Sequence, residues 1–296
     1  MTAPFVGATS LAATFGGVTT TDDDRELADI CIEEWASLRS TLGSLDYAQW
    51  NLHSGLPGWT VRDVVSHLVG FERQWFMGEQ PAVEPLDPRP PHVHNDLAAD
   101  NERWVTLWAT QEPASMLDRF DKMVQTRKRQ LFDTMMSSDG FDTQVHTFRG
   151  DVAYRDTLPI RIADATTHHI DVRRACGLSW APESPGVEML RSQMIGALPR
   201  VASKQAALPD GTVVALSLFG SFSVTATVLV DAGRGRSVMA GEHPPVAALT
   251  MHDETFVLVT TGRIDPNQAV ESGKIKLRGD EAIARQFAAA LRVIAF

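Results

Sequence analysis

From Asp24 to Leu45 the apolar residues fall at Leu27, Ile30, Cys31, Trp35, Leu38 and Leu42, the three-and-four spacing of one helix face. A Thr/Asp cluster ahead of them offers an N-cap. A second stripe runs through Val61, Val64, Val65, Leu68, Glu72 and Trp75. Thr60 and Asp63 stand before it as a variant of the capping box. Further helices are predicted for Asn95–Ala109, with Trp104 and Trp108, and from Pro113 to about Met136, where proline occupies a tolerated first-turn position. Pro81–His94 carries too many prolines for regular structure. After a polar loop, Leu158–Cys176 reads as the last long helix of this half, with Pro159 in its first turn and Gly177 as C-cap. Four main helices with long connections predict a bundle.

The pattern changes after Ser179–Gly186, the expected interdomain linker. A helix from about Gly186 to Ala207 leads into two β-rich runs, Asp210–Gly220 and Ser221–Gly233, joined by Gly-Ser as in a hairpin. Arg236–Gly241 and Val246–His252 read as further strands. Asp253–Arg263 and Asp265–Gly273 read as helix or turn, Lys274–Asp280 as a short strand and Glu281–Ile294 as an amphipathic helix. This half is α+β. The expected organisation is a flexible tail over residues 1–22, a helical domain over 23–180 and an α+β domain over 185–296.

Composition narrows the function classes. A 296-residue chain, 44% hydrophobic and with a net charge of −10, can bury a core but lacks the basic surface that a phosphate backbone needs. A small-molecule substrate is the expected partner, with no nucleic acid and no membrane. No apolar run reaches transmembrane length, and the Thr/Gly/Ala-rich N-terminus lacks a basic n-region, so a cytoplasmic protein is expected. The two cysteines, Cys31 and Cys176, form no disulfide framework and read as thiols in a reducing compartment.

The chemistry concentrates in DATTHHIDVRRACG, Asp164–Gly177. At about 100° per residue, His168 lies about 40° from Asp164, and Asp171 about 20° to the other side. His169 falls about 140° away. The other faces carry Thr166, His169 and Arg173, so the helix has no apolar stripe to bury instead. Asp164 and His168, one turn apart, can grip one ion. His67, beside Val64 and Phe71 on the second helix, is the candidate third ligand. Two histidines and a carboxylate with an open position suit a catalytic divalent metal, zinc above all, with nickel as a second choice. On spacing alone the same residues also fit a satisfied core histidine and an ordinary helix ion pair.

GLPGWTVRDVVSHLVGFE resembles the second-helix signature of the DinB-like metal-binding superfamily, and more narrowly that of the mycothiol-dependent maleylpyruvate isomerase family. D-x-x-x-H-H-x-D-V-R-R-A-x-G is similar to a later helix of that family, usually written E-x-x-x-H-x-x-D. VAALTM, DETFVLVTTGR and GKIKLRGDEAIARQFAAALR resemble its companion domain. The resemblance runs from about Asp24 to Phe296. It implies a DinB-like four-helix bundle followed by a smaller, α+β sterol-carrier-like domain. It also implies His67, Asp164 and His168 as ligands of a divalent metal, with mycothiol or a similar low-molecular-weight thiol as cofactor. Asp164 departs from the usual Glu, and its arm is one methylene shorter.

In such a family the metal favours the thiolate, which adds to a small electrophile. Isomerase and S-transferase activities both follow from that step. Cys31, on an apolar stripe, and Cys176, at a helix C-terminus, are poor substitutes for an external thiol. The resemblance implies a basic residue from the C-terminal domain for a substrate carboxylate, for which Arg263 is the candidate. A surface arginine capping a helix end is the other reading of Arg263. Asp171 reads as orienting a ligand or pairing an arginine, and Trp59 as packing the loop before the second helix. The alternative function is a metal-stabilised protein that binds a lipid or small molecule without turnover.

Overall fold

The computed structural model describes residues 21–294. The tail expected over residues 1–22 lies almost wholly outside them. The chain divides into two compact units at Gly186 and Val187.

The first unit is helical. Its elements are α1 (Thr21–Ser44), α2 (Val61–Met77), α3 (Asp96–Trp108), α4 (Pro113–Met136) and α5 (Tyr154–Ala175). α1 packs on α4 and α5, α2 packs on the same two helices, and α3 lies against α2. The predicted stripe of α1 is its buried face: Leu27, Cys31, Trp35, Leu38 and Leu42 are all in the core. α2 starts where its cap requires. Thr60 accepts from the Asp63 backbone N–H, and the Asp63 carboxylate accepts from the Thr60 N–H at 2.8 Å. Gly70 permits the close approach of α3, since a Cβ there would lie 2.3 Å from Trp104 Cγ.

Two features of this unit depart from the expected pattern. The polar loop before α5 holds a hairpin, β1 (Gln144–Thr147) and β2 (Gly150–Ala153), paired antiparallel with Thr147 opposite Gly150. Its tip residue Phe148 packs edge-on against Phe71 and Trp75, with ring centroids 5.9 and 6.0 Å away. α5 then begins at Tyr154, four residues before the predicted start, so Pro159 lies inside the helix. Long-range contacts set this start. The Tyr154 N–H donates to Thr143 O at 2.9 Å, and its ring packs on Phe76 and Phe141.

The second unit is α+β. The expected long helix is broken into α6 (Pro185–Gly196), a short α7 (Leu198–Arg200) and a π-turn at Val201–Gln205. Strands β3 (Val213–Phe219), β4 (Val224–Asp231), β5 (Arg234–Val238), β6 (Ala247–His252) and β7 (Ile275–Gly279) form one sheet in the order β5-β4-β3-β6-β7. β3 and β6 run parallel and the other neighbours antiparallel. Helices α8 (Asp253–Thr260), α9 (Pro266–Glu271) and α10 (Glu281–Ala289) complete the unit. Among the described residues no helix is long and apolar enough to cross a membrane.

Candidate metal centre

α5 is buried on nearly every side, from Leu158 through Val172. Its many polar side chains must therefore find partners inside the protein. On one side the His169 ring spans to α1. Its Nδ1 lies 2.7 Å from Glu34 Oε1, and its Nε2 lies 2.8 Å from Thr41 Oγ1. This satisfied pair pins α5 to α1 and takes His169 away from the other histidines, as its angle on the helix predicts.

The opposite side of α5 faces α2 and carries the cluster of interest. His67, Asp164 and His168 are all buried, and each offers a ligand atom within 4.8 Å of the other two. Among the described residues it is the one such group of three. His67 Nε2 lies 3.5 Å from Asp164 Oδ2, and His168 Nε2 lies 3.6 Å from Asp164 Oδ1. These gaps are long for hydrogen bonds. They match the spacing of donors around one ion, because two ligands each about 2.1 Å from a tetrahedral metal stand about 3.4 Å apart.

The surroundings prepare these groups as donors. His168 Nδ1 lies 3.1 Å from Asp171 Oδ2, which leaves Nε2 as the atom facing Asp164. His67 Nδ1 is buried and finds no hydrogen-bond partner among the described residues. Burial pushes the His67 pKa below its ordinary value, favouring the neutral ring that a metal needs. Burial alone would raise the Asp164 carboxyl. Arg161, His67 and His168 overcome that effect and hold it well below the usual carboxylate range. The two imidazoles beside an ionised carboxylate, shielded from bulk water, fit a divalent ion of borderline softness.

Two aromatic rings flank the imidazoles. Trp59 lies 5.2 Å from His67 and 6.4 Å from His168 between ring centroids, and Phe71 lies 6.1 Å from His67. Trp59 is more than loop packing. Its indole Nε1 donates to Glu102 Oε2 at 2.8 Å, and the same oxygen lies 3.0 Å from His92 Nε2 in the proline-rich segment.

Behind Asp164 runs a buried ionic chain that the sequence reading missed. Arg161 Nη2 donates to Asp164 Oδ2 at 3.0 Å, and its Nε donates to Glu72 Oε1 at 2.7 Å. Glu72 Oε2 accepts from Arg127 Nε at 2.7 Å. The apolar stripe of α2 placed Glu72 on its inward face, and a carboxylate there was the available signal. Nothing local named its partners.

Arg263 lies in the second unit, just beyond α8, where its Nη1 donates to Thr261 O at 2.8 Å. Cys31 is buried, and burial first of all pushes its thiol far above the ordinary range. Cys176 is half-buried, and burial, then Asp46, raises its pKa as well.

The mycothiol maleylpyruvate isomerase N-terminal domain matches residues 31–173, and the SCP-2 sterol transfer family matches residues 200–292. A crystal structure of the mycothiol-dependent maleylpyruvate isomerase in a histidine-to-alanine mutant covers 88% of this chain and 95% of its own, at 16% identity and a TM-score of 0.54. A crystal structure of the mycothiol-dependent maleylpyruvate isomerase covers the same shares, at 17% identity and a TM-score of 0.52. At these identities the likeness is one of fold. No curated protein sequence matches. The chain thus carries, in order, a segment that matches the mycothiol maleylpyruvate isomerase N-terminal domain and a segment that matches the SCP-2 sterol transfer family.

Proposed function

We propose that this protein is a divalent-metal-dependent isomerase or S-transferase that uses mycothiol or a similar small thiol against a small electrophile. The observation that carries the reading is the buried group of His67, Asp164 and His168, with donor atoms at ligand spacing inside an isomerase-type fold. These three residues would hold the ion, zinc first and nickel second. A bound ion supplies a Lewis acid that favours thiolate over thiol near neutral pH.

The chain's own residues do the rest. Asp171 holds the His168 ring with Nε2 inward. Trp59 and Phe71 cover the imidazoles and limit water, which strengthens electrostatic effects in the site. Neither cysteine serves as an internal nucleophile, because both thiols are held in the protonated form. Arg263 would meet a substrate carboxylate.

Metal content of the purified protein, of His67→Ala and of His168→Ala tests the reading. About one divalent ion per chain, lost in both variants, is the expected result. The loaded parent should then consume mycothiol-dependent electrophiles, maleylpyruvate among them. A parent that takes up neither zinc nor nickel overturns the reading.

A further inference from the structure

The unusual donor of the cluster is Asp164, and one of its two oxygens is already engaged. Arg161, three residues earlier on α5, donates to Oδ2 from Nη2 at 3.0 Å. The arginine cannot swing away easily. Its Nε is held by Glu72 at 2.7 Å, and its guanidinium carbon lies 3.9 Å from the centre of the Phe71 ring. Glu72 is anchored in turn by Arg127, whose guanidinium lies 3.8 Å from the Phe76 ring centre. Arg161, Glu72 and Arg127 are 3%, 1% and 0% exposed, so water screens these charges little. The two arginines and two carboxylates sum to zero charge before any ion arrives.

Resting on the function proposed above, we infer that Arg161 is a positioning residue for the metal centre. It holds Asp164 Oδ2, the oxygen that also stands 3.5 Å from His67 Nε2, and so leaves Oδ1, on the His168 side, as the oxygen that serves the ion. It also sets a fixed positive charge beside the ion, and Glu72 moderates that charge. A short carboxylate held in this way presents its free oxygen toward His168 Nε2, the 3.6 Å pair already in place. The cost is affinity, because a buried cation repels a dication a few ångströms away. The return is an ion poorer in ligand charge, and therefore a stronger acid toward a thiol.

The test is ion binding to the ion-free protein, by competition with a chromophoric chelator, together with the visible spectrum of the Co(II)-loaded form. Arg161→Gln removes the charge and releases Oδ2. It should bind zinc at least about tenfold more tightly than the parent, and its Co(II) bands should shift as coordination changes. Glu72→Gln leaves Arg161 uncompensated and should weaken zinc binding by about tenfold. The opposed signs distinguish this role from a merely structural one, in which both variants damage the site and weaken binding. A parent that binds zinc while both variants bind more weakly, or unchanged with the parent's Co(II) spectrum, overturns the inference and leaves the metal reading standing. A parent that binds no ion removes both.

Discussion

Asp171→Asn tests how the fold prepares a ligand without touching the ligand itself. Asp171 is 1% exposed, and its Oδ2 lies 3.1 Å from His168 Nδ1, one helical turn back. That contact assigns the proton to Nδ1 and turns Nε2 toward Asp164. A hydrogen bond to a charged group contributes about 1.5–3 kcal/mol, and a neutral one about 0.5–1.5 kcal/mol. Asparagine keeps the shape and an accepting oxygen, so the loss is the difference, about 1.4 kcal/mol. That is about tenfold in ion affinity. Asp171→Ala loses the whole interaction and should cost about a hundredfold, the upper end for partners that support a metal-bound histidine. The assay is competition against a chromophoric chelator near neutral pH, with thermal melting of the ion-free variants to show that the fold is kept. Both variants binding within about twofold of a zinc-binding parent would refute the reasoning.

Other consequences concern acidity, packing and substrate. The folded state resists protonation of His67, whose pKa is lowered chiefly by burial, while the unfolded chain accepts the proton near pH 6.5. The ion-free protein should therefore lose stability as pH falls through about 6.5, and His67→Gln should flatten that slope in urea titrations. Asp164, with its depressed carboxyl, loses its contribution only in a lower window, below about pH 4. Gly70→Ala should cost about 1–3 kcal/mol by forcing Trp104 away from α2, read from the urea midpoint; an unchanged midpoint would show that α3 yields freely. Arg263→Ala should leave ion content untouched and raise KM for a carboxylate substrate about tenfold or more, as expected for a lost charged hydrogen bond. An unchanged KM removes Arg263 from the proposal.

Much of the helical half was legible because its signals are local. The capping box at Thr60 and Asp63 and the stripe from Leu27 to Leu42 depend on residues three and four apart, and both stand in the structure as read. The angular separation of His168 from His169 is equally local, and the two rings do meet different helices, His168 against His67 of α2 and His169 against Thr41 of α1. The hairpin at 144–153 escaped because four-residue strands in polar sequence carry too few apolar positions to show a period. The start of α5 escaped because Tyr154 is buried by Phe76, Phe141 and Arg127, which no window of sequence brings together.

The division between the two kinds of knowledge follows distance along the chain. Helix faces, caps and the stripe of Asp164, His168 and Asp171 are determined by backbone geometry within a turn or two, so the residues alone specify them. Which buried charge meets which is decided by packing. Glu72 finds Arg127 at a separation of 55 residues and Arg161 at 89, and His169 finds Glu34 at 135. A helix such as α5, polar by sequence yet buried from Arg161 to Val172, exists only because neighbouring helices supply those partners. Periodicity reports which face a side chain occupies; only the folded chain decides what stands opposite it.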